Sequence, residues 1–430
     1  MRYVQLPASF FTSNRQRLGT LLPEKSLAVL NANDIMPTNA DGTMGFTQNS
    51  DLYYLSGVDQ EDTILVLFPT ARDPKRREVL FVRETNDYLA TWEGAKLSKE
   101  EARQVSGIQT VEWLGNFDRI FREMMFEAET VYLNANEHLR ADSLVQTRDA
   151  RFLETVRRQF PLHRYARLAP IVYRLRMKKS PEEIEAIREA TRTTEAGFRR
   201  LLQFVKPGVT EYEVEAELAH EYIRRCSRGF SYPPIIASGA NACVLHYLEN
   251  NATCQDGELL LLDVAAEYAL YHSDMTRTIP VNGRFTPRQR QIYDAVLRVL
   301  RACTQMLRPG VIPSEYQEEV NKLVESELIG LGLLDAEAVK NQNPEKPLYK
   351  KYFMHGVSHH IGLDVHDVHD PALPYAEGMV LTVEPGIYIR EEGLAVRLEN
   401  LILIGKDGNE DLMNEVPIEA EEIETLMQGS

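Results

Sequence analysis

The second half of the chain repeats itself, and that repetition limits its fold more than any other feature. Lys206-Pro207-Gly208-Val209, followed by Glu211-Tyr212, returns as Arg308-Pro309-Gly310-Val311, followed by Glu315-Tyr316. Asp256-Gly257 then leads through ELLLLDV to Asp263, and Glu377-Gly378 through GMVLTVE to Glu384, each carboxylate seven residues after the acid of its turn. Two echoes in the same order predict a duplicated α/β unit whose copies face each other across a pseudo-twofold axis. A single duplication is not a solenoid. Both strands read as apolar on both faces, the pattern of a central sheet covered by helices. A carboxylate at the end of such a strand is costly unless paired or bound to metal, so a matched pair points to a shared site.

The first part of the chain has a different texture. Short β-rich runs (SLAVLNA, DLYYLSG, DTILVLFPT, REVLFVR, TVYLNAN) alternate with helix-like stretches near 98–105, 116–128 and 142–158, which predicts an α/β domain. After the basic run RLRMKKS, Ser180-Pro181-Glu182-Glu183 supplies an N-cap, a first-turn proline and a capping-box glutamate. A new helix starts there, and the expected domains are residues 1–170 and 171–430. With 430 residues, 43% of them hydrophobic and 26% charged, the chain can bury two sizeable cores.

Charge and cysteine usage exclude several classes. With 48 basic against 64 acidic residues the net charge is -16, which repels nucleic acid and anionic membranes. Cys226, Cys243, Cys254 and Cys303 are spaced neither as a disulfide framework nor as a CxxC motif, so a reducing, cytoplasmic setting is expected. The N-terminal stretch lacks an apolar signal region, and LLLLDVAA is too short to span a membrane. The sequon Asn251-Ala252-Thr253 is discounted on the same ground.

Side chains suited to chemistry gather in the second half. Asp263 and Asp274 lie in DVAAEYALYHSDMTRT, His359 in HGVSHHIGLDVHD, Glu384 in TVEPG and Glu399 in VRLEN. Four carboxylates and an imidazole offer mostly hard oxygen ligands, enough for two divalent cations if some oxygens bridge. Two such cations can share a water, lower its pKa and polarise a carbonyl, which is equipment for amide hydrolysis. Of ten histidines, His246, His272, His355, His359, His366 and His369 fall in this half, while His360 is expected to point away from any site that His359 enters. HExxH, P-loop and GxSxG motifs are missing, which excludes a thermolysin-type helix, a phosphate cradle and a serine-hydrolase elbow.

DVAAEYALYHSDMTRTIPVNGRFT, HGVSHHIGLDVHD, GMVLTVEPGIYI and VRLEN, in this order and spacing, resemble the pita-bread metallopeptidases and in particular the Xaa-Pro aminopeptidases (aminopeptidase P). QNSDLYYLSG and MKKSPEEIEAIREAT extend the resemblance to the N-terminal domain of that family, so it covers nearly the whole chain. It implies an α/β N-terminal domain followed by an α+β pita-bread (creatinase/aminopeptidase) catalytic domain. It further implies that Asp263 holds one metal, that His359 and Glu384 hold the other, and that Asp274 and Glu399 bridge. Glu384 then doubles as the proton carrier. His246 and His366 match pocket histidines that contact substrate and stabilise the tetrahedral intermediate, while His355 and Arg397 match residues that orient ligands or substrate. Asp41 and Trp92 match positions that in some relatives approach the active site of a neighbouring subunit.

The implied activity is hydrolysis of the bond between any N-terminal residue and a penultimate proline. That bond is a tertiary amide without an N–H, and general peptidases handle it poorly. A prolidase restricted to Xaa-Pro dipeptides is the alternative, and a non-catalytic pita-bread binding module a remote one. The expected cofactor is a pair of Mn²⁺ ions, with Zn²⁺, Co²⁺ or Fe²⁺ suiting the same residues. A homodimer or homotetramer is expected. The chain departs from the family pattern in its short segments 367–377 and 388–397, in His272-Ser273 before the second aspartate, and in Asn400 where an acid is more usual.

Overall fold

In the computed structural model, residues 3–429 are described. Their packing separates two compact units, one of residues 5–176 and the other running from residue 177 onward together with the segment around Val4.

The first unit is built on a six-stranded sheet of β1 (Ser26–Asn31), β2 (Ile64–Leu67), β3 (Glu78–Val82), β4 (Thr110–Trp113), β5 (Thr130–Leu133) and β6 (Arg164–Arg167), in the order β4-β3-β2-β1-β5-β6. Parallel pairings β1/β5, β5/β6 and β3/β4 flank the antiparallel β1/β2 and β2/β3 ladders. Its helices are α1 (Ala8–Leu21), α2 (Ser50–Ser56), α3 (Asp87–Glu93), α4 (Lys99–Ser106), α5 (Phe117–Met125), α6 (Arg148–Gln159) and α7 (Ala169–Arg176). One sheet face packs Leu27, Val29, Val66 and Phe81 against the α5 rings of Phe117 and Phe121, which stack 5.1 Å apart.

One sequence expectation is corrected here. DLYYLSG is not a strand but α2. Asn49 Oδ1 accepts from the backbone N–H groups of Asp51 and Leu52, and Gly57 closes the helix in the left-handed region at φ 68°. Every residue of α2 from Asp51 to Ser56 is buried, so the run shows no helical period and its tyrosines mimic a strand. Gly57 is required twice over, because a Cβ there would come 2.3 Å from the Phe11 ring as well as strain the backbone.

The second unit opens with α8 (Pro181–Phe204), and the expected capping box is formed between Ser180 and Glu183. Next come α9 (Glu211–Arg224), the strands β7 (Ile235–Ser238), β8 (Leu259–Asp263), β9 (Glu267–Tyr268), β10 (Tyr271–His272) and β11 (Thr276–Pro280), and then α10 (Pro287–Met306), α11 (Pro313–Gly330) and the short α12 (Ala336–Lys340). The chain ends with β12 (Val380–Val383), β13 (Gly386–Ile389), β14 (Leu394–Arg397), β15 (Asn400–Leu403), β16 (Glu410–Asp411) and α13 (Ala420–Met427). Hydrogen bonding divides the strands into β11-β8-β7, β12-β15-β16, β13-β14 and β10-β9, so β8 and β12 belong to separate ladders rather than to one continuous sheet.

The internal echo is visible bond for bond. Gly208 N–H donates to the Cys254 carbonyl and Cys254 N–H to the Val209 carbonyl, each at 2.9 Å. Gly310 N–H donates to the Tyr375 carbonyl and Tyr375 N–H to the Val311 carbonyl, again at 2.9 Å. Each Pro-Gly turn is thus stapled to the residue two before its acidic-Gly turn, from which β8 or β12 then departs. The duplicated unit expected from the sequence is present, and its two copies set the stage for the carboxylates.

Candidate functional site

Two antiparallel strand pairs deliver four acids. Asp263 ends β8 and Asp274 lies two residues before β11. Glu384 follows β12 directly and Glu399 precedes β15 directly. The ladder β8/β11 sets Asp263 opposite Thr276, and β12/β15 sets Val383 opposite Asn400, which leaves Glu384 and Glu399 together at the open end. His359 enters beside them, its backbone N–H donating to Thr382 Oγ1 at 3.0 Å.

The side chains converge. His359 Nε2 lies 3.4 Å from Asp274 Oδ2 and 3.7 Å from Glu384 Oε1. Ligand atoms of Asp274, His359 and Glu399 all fall within 4.8 Å of one another. His359 Nδ1 faces the His360 carbonyl at 3.0 Å, a contact that turns Nε2 towards the acids. Glu399 Oε2 accepts from Thr276 Oγ1 at 2.8 Å, whereas its Oε1 is buried without a hydrogen-bond partner.

Arg397 ties the far side of the cluster. Its Nη2 donates to Asp263 Oδ2 at 2.6 Å, its Nη1 to the Tyr388 hydroxyl at 2.9 Å and its Nε to Thr276 Oγ1 at 3.1 Å. Tyr388 continues to His355 Nε2 at 2.8 Å, and His355 Nδ1 stands 3.9 Å from Glu384 Oε2. The two pocket histidines are exposed: the His366 ring lies 4.2 Å from that of His359, and His246 stands in the segment after β7.

Protonation behaviour follows from crowding. Burial pushes the Glu384 carboxyl up to about 7, against the opposing pull of His359. Burial also raises Glu399 well above the ordinary carboxylate range, aided by the negative fields of Asp274, Glu384 and Asp263, and raises Asp263 in spite of Arg397. For His359, burial disfavours the charged imidazole, but the hydrogen bond to Asp274 and the field of Glu384 outweigh it and its pKa rises. Burial lowers His355 to about 4. Three carboxyls held above their ordinary range, with a buried oxygen lacking a donor, form a pocket short of positive charge. Divalent cations would satisfy it, so the donor set fits the metal pair implied by the sequence.

Metallopeptidase family M24 matches residues 185–406, and the N-terminal domain of aminopeptidase P matches residues 11–132. The chain is 36% identical to the Xaa-Pro aminopeptidase of Escherichia coli over 97% of both chains. The chain belongs to metallopeptidase family M24. Identity is 32% to human Xaa-Pro aminopeptidase 3, over 89% of this chain and 76% of the human one. The structure of E. coli aminopeptidase P with the inhibitor Pro-Leu superposes with a TM-score of 0.87 at 35% identity, over 99% of each chain.

Within this M24 site the sequence reading missed Tyr232. Its hydroxyl lies 2.6 Å from both Asp263 Oδ1 and Asp274 Oδ1, and burial beside these acids raises its pKa well above the ordinary phenol range. One hydroxyl proton serves one carboxylate at a time, so Tyr232 couples the two aspartates. The only local sign is an aromatic residue between Ser231 and Pro233 ahead of the apolar β7, too common a pattern to single out. The departure at Asn400 also acquires a structural account. Its Oδ1 accepts from the buried Arg277 at 2.8 Å and its Nδ2 donates to Asp411 Oδ2 at 2.6 Å, so a neutral amide relays the guanidinium to a carboxylate one strand away. His272 is partly buried, and its backbone N–H donates to the Gly362 carbonyl. Asp41 and Trp92 belong to the other unit and both are exposed, Trp92 by 74%.

Proposed function

We propose that this chain is a dinuclear metal-dependent aminopeptidase that releases the N-terminal residue from peptides with proline in second position. The observation that carries the reading is the convergence of His359 Nε2 with Asp274 and Glu384 beside the unpartnered Glu399 Oε1, in an M24 chain that also matches the aminopeptidase P N-terminal domain. Under this reading Asp263, Asp274, His359, Glu384 and Glu399 would hold the two cations. Bound there, the cations would supply Lewis acidity, making a water nucleophilic near neutral pH and polarising the scissile carbonyl.

The chain's own residues do the rest. Glu384 Oε2, the oxygen facing His355, is the assigned acceptor of the water proton and its donor to the departing proline nitrogen. His355, held by Tyr388, positions that carboxylate. His246 and His366, both exposed, the latter with its ring 4.2 Å from that of His359, are the proposed contacts to the peptide and to the charge that develops on its carbonyl oxygen. Arg397 fixes the orientation of Asp263. Asp41 and Trp92 are assigned to substrate binding, and a rise in KM on Trp92→Ala checks that role.

Mn²⁺ is the proposed metal, the cytoplasm the proposed compartment, and a homodimer or homotetramer the proposed assembly. Among the described residues no helix is long and apolar enough to cross a membrane. The deciding experiment is hydrolysis by Mn²⁺-loaded protein of an Xaa-Pro dipeptide and of the same sequence extended to Xaa-Pro-Yaa. Faster cleavage of the extended peptide supports the aminopeptidase. Cleavage of the dipeptide alone makes the chain a prolidase, and failure both to take up metal and to cleave either peptide would leave a binding module.

A further inference from the structure

Glu211 is the first residue of α9 and its side chain is wholly buried, yet none of the roles assigned above uses it. Among the described residues no lysine, arginine or histidine forms an ion pair with it. A buried carboxylate without a cation must be neutralised by donors. Five supply the need. Oε1 accepts from the Ser238 backbone N–H at 2.7 Å, the Ser238 hydroxyl at 2.8 Å and the Asn241 amide at 3.4 Å. Oε2 accepts from the Tyr247 hydroxyl at 2.8 Å and the Ala252 N–H at 2.9 Å. The N-terminal end of α9 adds its own favourable field.

These donors share one property: they span residues 238–252, the segment that carries His246. That segment holds one short 3-10 turn, Gly239–Cys243, and no strand after Ser238, so little backbone pairing of its own fixes its course. It is folded around the Glu211 charge. Tyr247 is the immediate neighbour of His246, and its hydroxyl, which also accepts from the Asn241 amide at 3.1 Å, is drawn inward while His246 stays exposed.

The second copy of the repeat has a counterpart. The N-terminal part of α11 holds the arm that carries His355 and His359, through Gln317 Oε1 accepting from the Val357 N–H at 3.0 Å and through the Tyr316 hydroxyl, 3.4 Å from Ser358 Oγ. In each half the helix after the Pro-Gly turn anchors a histidine-bearing arm. The anchor of the first arm is a charge and that of the second is neutral.

We propose that Glu211 is a positioning residue that sets His246 over the active site by gathering the 238–252 segment around its carboxylate. The proposal rests on the aminopeptidase reading only in taking His246 to act on the peptide. Its test uses the full, metal-loaded chain and the variants Glu211→Gln, Tyr247→Phe and His246→Ala, with Glu211→Gln/His246→Ala to close a cycle.

Glu211→Gln is expected to raise amide hydrogen exchange within 238–252 while β8, β11, β12 and bound metal stay as in the wild type. Its kcat/KM for Xaa-Pro-Yaa is expected to fall by about tenfold to a hundredfold, as displacement of a positioned group does. Tyr247→Phe removes one donor of five and should fall between the two, which keeps the test open if Glu211→Gln folds poorly. In the His246→Ala background the Glu211 substitution should change kcat/KM by less than about twofold, because the two act as one unit. Multiplying losses, or a Glu211→Gln enzyme with wild-type exchange and rate, would overturn the proposal. If the wild type cleaves no Xaa-Pro peptide, the functional reading fails by itself, and the exchange measurement still decides whether Glu211 holds the segment.

Discussion

Lys179 and Asp367 form an ion pair at 2.7 Å with both side chains only 1% exposed. Lys179 leads into α8 and Asp367 follows His366, so the pair fastens the loop that runs on from His359. The same loop is closed by the Asp367 N–H donating to the His360 carbonyl at 2.8 Å. Gly362 makes room for the pair: a Cβ there would stand 2.3 Å from Asp367 Oδ2 and 2.8 Å from Lys179 Cε.

Removing one partner takes the short ion contact away from a buried charge. Lys179→Met or Asp367→Asn should therefore each cost about 3–5 kcal/mol of stability. The double variant, with neither charge left, should cost less than the sum. Urea unfolding of the three proteins checks this, and strictly additive losses would show that the pair is not a unit.

Glu183 predicts a pH dependence. It is buried, and desolvation raises its carboxyl to about 7 in spite of Lys179. A carboxyl whose pKa is higher folded than unfolded favours the folded state when protonated. This contribution is full below the unfolded value near 4.5 and is lost as pH rises through 7. The difference is worth about 3 kcal/mol at most. Glu183→Gln, which can still accept the Ser180 N–H, should thus gain on the wild type between pH 4.5 and 7.5. Unfolding curves at the two pH values decide it, and a constant gap between the proteins would count against it.

Removal of a metal-ligating oxygen should separate binding from folding. Asp274→Asn and Glu399→Gln should each lower bound metal per chain and cut activity by at least about a hundredfold, with the metal-free protein as stable as the wild type or more so, because a crowded negative charge is gone. Metal content by elemental analysis, beside thermal unfolding in chelator, provides the readout. Full metal content in either variant would remove that residue from the ligand set.

Tyr232→Phe should weaken metal binding without displacing any strand. The lost hydroxyl leaves Asp263 and Asp274 uncoupled, and loss of such an outer partner costs about 10–100-fold in metal affinity. Competition with a chelator of known affinity measures the shift. An unchanged affinity would mean that the phenol merely fills space.

Much of this was legible before any coordinates. The duplicated turns were readable because Pro-Gly and acidic-Gly fix backbone geometry wherever they stand, and Gly208 and Gly310 make equivalent bonds. Asp263 and Glu384 stood out because carboxylates at the ends of apolar strands are expensive and so uncommon, and the family resemblance added Asp274, His359 and Glu399. Tyr232 did not stand out, since a phenol gains its role only from two aspartates 31 and 42 residues away. Glu211 was noticed as half of an echo, but its donors come from irregular backbone that has no period to read. The misread of DLYYLSG has a related cause. A helix buried on all sides carries no polar face to mark its period.

The arrangement around Arg397 bears on which peptides can be accommodated. A dipeptide carries two terminal charges into the site, whereas a longer peptide leaves its carboxylate outside. All three nitrogens of Arg397 already donate, to Thr276, Tyr388 and Asp263. The guanidinium is only 4% exposed and its charge is already set against Asp263, so an incoming carboxylate would meet a positive charge that a buried acid shares. A preference for the longer peptide would follow from that sharing, and the matched pair of peptides reads it.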